Sequence, residues 1–164
     1  MDARVRGDFH VLVIGVGNDY RHDDAVGLIV ARRLKGHVAD NVTVLEESGE
    51  GTALMAAWQG ADVVILVDAL HSRASPGTVR RLEASALTGH EHLFRVSTHA
   101  ISVADAIELA GAMGMLPPQL IIYGIEGEDF EAGVGLSPAV ERAARQVVEA
   151  VLEEVTGNIP SAPA

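Results

Sequence analysis

Residues 11–27 read VLVIGVGNDYRHDDAVG. An unbroken apolar run closes on Gly15-Val16-Gly17, and a segment with helical spacing follows. Phe9–Val16 is apolar at nearly every position, the pattern of a strand buried on both faces, as in a parallel sheet. Asp24–Lys35 then places Val26, Val30 and Leu34 on one helical face and closes at Gly36. A buried strand feeding a helix is the first half of a β-α-β unit. This stretch therefore decides the fold class, provided the alternation continues.

It does continue. Val42–Leu45 reads as a second strand and Thr52–Trp58 as a short helix. Residues 62–70, DVVILVDAL, form a third buried strand. Residues 76–84, PGTVRRLEA, carry turn residues and then a mixed pattern that suits a sheet edge. Ile101–Met113 has Val103, Ile107 and Ala110 on one helical face, with Ser97 or Thr98 ahead of it as a cap. Residues 117–126, PPQLIIYGIE, give another strand with prolines at its entrance. Ser137–Val155 is a long helix, with Ser137 as its cap, Pro138 in its first turn and a stripe of Val140, Val147, Val151 and Val155. The alternation predicts a three-layer α/β/α sandwich around a mostly parallel sheet. One domain is expected over residues 9–156, between a loose N-terminus (1–8) and a flexible tail (157–164).

Composition narrows the partners. The 164 residues carry a net charge of −11, with Lys35 the only lysine. Nucleic acid and anionic membranes need a basic face, so neither is expected as a partner. No cysteine is present, which removes disulfide scaffolds, zinc ribbons and thiol nucleophiles. The first ten residues lack the apolar core of a signal peptide, and no apolar run reaches membrane-spanning length. A cytoplasmic location is the expectation.

In a sheet of this kind ligands bind beyond the carboxyl ends of the strands. The first such end, GVGNDYRHDD, does not suit a nucleotide. A dinucleotide loop needs Gly-x-Gly-x-x-Gly, whose third glycine lets helix pack on strand. Gly15 and Gly17 fit, but Tyr20 takes the third place. Asp23 and Asp24 would stand at the helix N-terminus, where they repel a pyrophosphate. As plain structural residues the two acids would cap the helix and complement its dipole. The third strand ends at Asp68. His99, in RVSTHAISVADAI (95–107), stands just before the next helix. The other six histidines form no ligand-spaced pair. Ser48 and Ser97 sit in no Gly-x-Ser-x-Gly elbow. Asp24, Asp68 and His99 come from three connections that this fold brings to one edge. Two carboxylates and an imidazole make a borderline donor set for a divalent transition metal, with positions left for water or substrate.

The order GVGNDYRHDDAVG, VLVDAL, STHAISVADAI and IIYGIEG resembles the maturation endopeptidases of [NiFe] hydrogenases over about residues 10–155. The resemblance implies a five-stranded, twisted, mostly parallel sheet of phosphorylase/hydrolase-like type. It carries the family's three metal-binding positions over to Asp24, Asp68 and His99; the chemistry of peptide hydrolysis makes Asp24 and Asp68 the catalytic candidates as well, one of them assisting proton transfer. It further implies removal of a C-terminal peptide from a hydrogenase large-subunit precursor after nickel insertion. The nickel would belong to the precursor, and no nucleotide is expected. Gly17, Asn18 and Gly49, with Gly51 behind them, would shape the loop that receives the precursor's tail. LEESGEGTALM (45–55) is only loosely similar to the family's glycine-rich segment. The alternative from the same residues is a non-cleaving nickel- or precursor-binding chaperone of the same fold. A nucleotide-binding enzyme and a purely structural reading of these residues are the other rivals.

Overall fold

The computed structural model describes residues 9–84 and 102–157. Five strands make one sheet: β1 (Val11–Val16), β2 (Val42–Glu47), β3 (Val63–Leu70), β4 (Val79–Glu83) and β5 (Gln119–Glu126). Their order across the sheet is β2-β1-β3-β5-β4, all parallel except β4. The antiparallel edge strand is PGTVRRLEA, whose Arg80, Arg81 and Glu83 keep that edge polar. Helices α1 (Val26–Leu34), α2 (Gly51–Ala57), α3 (Val103–Met113) and α4 (Pro138–Gly157) cover the two faces.

Period-two alternation builds the layers. Leu12 and Ile14 of β1 pack with Leu66 and Leu70 of β3 under α2 and α3. Val11 and Val13 pack with Ile65 and Val67 under α1 and α4. Thus adjacent residues of one apolar run serve opposite cores, which is why the central strands lack polar positions. The three-layer sandwich and the mostly parallel five-stranded sheet are as the sequence predicts. Readings that fall on residues 1–8, 85–101 and 158–164, including His99, lie outside the described residues.

Three local readings change. The helix expected from Asp24 begins as a short 3-10 turn, His22–Ala25, and becomes α-helical at Val26. The cap of α3 is Ser102 rather than Ser97 or Thr98. Its side chain accepts the Asp105 N–H and Asp105 returns a bond to the Ser102 N–H, a complete capping box. The third strand reaches Leu70, the end of the 62–70 run, so Asp68 sits two residues inside it rather than at its end.

The two glycines flanking the first turn set the closeness of α1 to the sheet. A Cβ on Gly27 would overlap the carbonyl oxygens of Val16 and Val67, and one on Gly15 would overlap that of Gly27. Helix α1 therefore lies on β1 and β3 backbone to backbone. The packing that a dinucleotide loop assigns to its third glycine is done here by Gly27, seven residues beyond Tyr20.

Candidate active site

Strand β1 leads through α1 to β2 on one side, while its other neighbour is β3. The β1/β3 junction is therefore the point where the connections diverge, and a crevice opens there beyond the strand ends. The 3-10 turn carrying Asp24 crosses this junction and touches β3. Asp68 rises from β3 one residue beyond the last β1 pairing, Gly15 with Val67. Two of the three predicted ligands thus meet at one mouth. His99 lies outside the described residues. Among the described residues, no three His, Cys, Asp or Glu side chains form a metal-binding group.

Asp68 alternates with Leu66 and Leu70, so its side chain turns toward the α2/α3 layer. It is buried, and one oxygen accepts the N–H of Ala69 at 2.8 Å. Burial pushes its carboxyl up to about 8, and the nearby charge of Asp24 adds to the rise, against the lowering by the Ala69 N–H. Helix α3 starts from Ser102, three residues after His99 in the chain, and runs over the same layer.

Asp24 is partly buried, and its backbone is tied at both ends. Its N–H donates to the Arg21 carbonyl (3.1 Å), and its carbonyl accepts from Asn18 N–H (3.2 Å). Asn18 also accepts the Tyr20 N–H on its side-chain oxygen at 2.9 Å, which closes the turn between the glycine pair and the acid pair. A Cβ on Gly17 would overlap the Asp24 carbonyl oxygen. Gly17 is glycine because Asp24 sits directly against it.

A groove of about 520 Å³ opens beside this turn, walled by Gly17, Asn18, Tyr20, Arg32, Glu47 and Ser48. Gly17 and Asn18 line it. Gly49 lies buried behind Ser48. Its φ of +89° makes the turn into α2, and a Cβ there would stand 3.0 Å from a Val16 methyl. Gly51 is the first residue of α2. The outer wall is held by Arg32, which binds both oxygens of Asp19 (2.8 and 2.7 Å) and Glu46 (2.7 Å), while Lys35 binds Glu46 at 2.6 Å. The Arg32 guanidinium holds the Asp19 carboxyl below its usual range, and Lys35 with Arg32 does the same for Glu46.

Two buried acids near the mouth do other work. Asp23 does not cap its own helix: its carboxylate reaches the loop after β5 and accepts four hydrogen bonds there. The donors are Glu128 N–H (2.8 Å), Asp129 N–H (2.9 Å), Ser137 N–H (2.7 Å) and Ser137 Oγ (2.8 Å). Burial alone would raise its carboxyl, but these donors outweigh it and the carboxyl is lowered. Glu126, at the end of β5, accepts the N–H and hydroxyl of Ser72 at 2.8 and 2.7 Å and so ties down the β3–β4 connection. Neither role has a local motif. The only sign in the sequence is the doubling of Asp at 23 and 24, one acid more than a cap requires.

Fold and site together define an α/β protein of the strand-end crevice type, with Asp24 and Asp68 brought together where the strands diverge. Comparison with known proteins narrows this further. A sequence model of the HycI hydrogenase maturation protease family matches residues 28–154. The hydrogenase 2 maturation protease of Escherichia coli strain K12 is 30% identical over 148 residues, covering 87% of this chain and 88% of that protein. The hydrogenase expression/formation protein HupD of Thiocapsa roseopersicina is 28% identical over 154 residues, covering 91% of this chain and 69% of that one. The hydrogenase maturating endopeptidase HybD from E. coli superposes with a TM-score of 0.75 at 28% identity, over 87% of this chain and 89% of that chain. The chain belongs to the hydrogenase maturation protease family, and it is a peptidase.

Proposed function

We propose that this peptidase removes the C-terminal extension of a [NiFe] hydrogenase large-subunit precursor in the cytoplasm, after nickel has been inserted. In this reading Asp24, Asp68 and His99 read the nickel, which arrives as part of the substrate. The observation that carries the reading is the meeting of Asp24 and Asp68 at the β1/β3 mouth, with Asp68 pushed up to about 8 by burial and by Asp24. Two carboxylates crowded at a buried mouth repel each other, and a cation relieves that repulsion. A precursor without its metal offers nothing to relieve it, so cleavage is gated by loading.

The same pair suits the chemistry of peptide hydrolysis. A carboxyl that titrates near neutral pH accepts a proton from an attacking water and returns it to the leaving amine. In this reading Asp68, whose carboxyl is raised by burial and by Asp24 in the metal-free site, takes that role. Asp24, with its carbonyl held by Asn18 and its backbone against Gly17, is the fixed partner. The groove beside Gly17 and Asn18 receives the precursor's tail.

The test mixes the protein with a large-subunit precursor, with and without nickel, and follows the precursor's mass. The expected result is loss of a C-terminal peptide in the nickel-loaded sample alone. Equal cleavage of both samples removes the metal-reading role, and cleavage of neither removes the proposed substrate.

A further inference from the structure

We infer that Asp23 is a positioning residue for the reaction, setting the backbone that carries Asp24 by locking it to the loop between β5 and α4. The inference rests on the reading of Asp24 as a site residue. Its structural basis is a set of bonds that all cross between two segments more than 100 residues apart in the chain.

The Asp23 carboxylate is fully buried and takes four donors from Glu128, Asp129 and Ser137. Its own N–H donates to the Asp129 carbonyl at 2.9 Å. One residue back, His22 N–H donates to Gly133 O (2.9 Å), and Gly133 N–H donates to Tyr20 O (2.9 Å). Arg21 Nε donates to Phe130 O at 3.2 Å. Four consecutive residues, Tyr20 to Asp23, are thus fastened to 128–137, and Asp24 is the next in line.

The fastening continues through Asp24 to the glycine loop. Asn18 N–H holds the Asp24 carbonyl, and Gly17 lies against the same oxygen. The 3-10 turn is therefore clamped between two supports, the 17–18 loop on one side and the 128–137 loop on the other. A four-residue turn has too few internal bonds to hold its own shape. The clamp supplies the rigidity, and Asp23 is its only fully buried side chain. The loop is in turn built around this carboxylate: a Cβ on Gly127 would stand 3.1 Å from the Asp23 Cβ and would overlap the Phe130 ring.

The division of labour in the Asp-Asp doublet follows. Asp23 faces inward and fixes the turn, while Asp24 faces the mouth. A purely structural role and a positioning role predict different outcomes for Asp23→Asn. One oxygen takes three of the four donors and the other takes Ser137 N–H alone. In the variant the amide nitrogen meets Ser137 N–H, donor against donor, so the clamp loosens without loss of side-chain volume.

The experiment uses the full chain and reads two quantities well below the melting temperature of the variant. The first is steady-state cleavage of nickel-loaded precursor. We expect Asp23→Asn to lower kcat by about 10–100-fold with KM changed less than about threefold, the signature of misplaced catalytic geometry. The second is amide hydrogen exchange, which needs no activity. We expect faster exchange at Asn18 and Asp24 as well as at Glu128, Asp129 and Ser137. Ser137→Ala, which removes one donor of four, should show a small fraction of both effects. Faster exchange confined to 128, 129 and 137, or a wild-type kcat in the folded variant, overturns the inference. If wild-type protein fails to cleave the precursor, the proposed function falls, and exchange at Asn18 and Asp24 still decides whether Asp23 holds that turn.

Discussion

Asp68 and Asp23 lie at the same end of the sheet and are both buried, yet they are treated in opposite ways. Asp23 is surrounded by donors that stabilise its charge, and its carboxyl is lowered. Asp68 has the Ala69 N–H and a second carboxylate nearby, and its carboxyl rises to about 8. Among the described residues, the Ala69 N–H is the one donor to the Asp68 carboxylate. A charge that is fully satisfied makes a good strut, and one left poorly satisfied is ready for a cation or a proton. The contrast separates the acid that holds the turn from the acid to which the proposed function gives the chemistry.

The largest expected effect comes from replacing the acid that the proposed function makes catalytic. If the proposed function holds, Asp68→Asn lowers cleavage by about 10³-fold or more, because both proton transfer and cation contact are lost. The same variant should be more stable than wild type. The native carboxyl binds its proton far more tightly than the unfolded one, so native Asp68 costs stability once pH rises above about 4, the ordinary Asp value. That cost grows until about pH 8. Thermal unfolding of the metal-free protein should therefore show Asp68→Asn on the order of 2–6 °C above wild type at pH 8, with the gap closing toward pH 4. A variant that is less stable at pH 8 breaks the contrast.

Gly17→Ala is next. Its Cβ would overlap the Asp24 carbonyl oxygen, so the turn must shift. Cleavage should fall by roughly 10²-fold, with about 1–3 kcal/mol of stability lost to overpacking. Urea unfolding and kcat of the same sample check both parts.

Asp23→Asn should cost about 1–3 kcal/mol at neutral pH, the usual penalty for a buried donor left without an acceptor. Because the native carboxyl is lowered, its contribution is complete above the unfolded Asp value and is lost as pH falls through the native one. Wild type and variant should thus converge in stability below about pH 4, the reverse of the Asp68 case. A constant difference down to pH 2 would show that packing, rather than charge, is what Asp23 supplies.

The smallest effect belongs to the exposed ion network of Asp19, Arg32, Glu46 and Lys35. Arg32→Gln should change stability by less than about 1 kcal/mol, because exposed pairs gain little over their hydration. Its effect should be confined to a modest rise in KM, read in the cleavage assay, through the groove wall that Arg32 holds.

The sequence by itself determined the sandwich and put residues 76–84 at a sheet edge. Continuous apolar runs such as 63–67 are stable only when both faces are covered, and the alternation of runs with helical stripes leaves little choice of architecture. It also placed Asp24 and Asp68 at one mouth, since strand ends in a parallel sheet share an edge. The tertiary structure decided what each acid does there. Nothing within ten residues of Asp23 shows that its partners are Glu128, Asp129 and Ser137, because those bonds exist only after the β5–α4 loop has folded back over the first turn. Equally, the raised carboxyl of Asp68 follows from the apolar layer around it and from the approach of Asp24, 44 positions earlier in the chain. Sequence order sets which groups meet at an edge, whereas burial and partners, which are properties of the packed chain, set their charge.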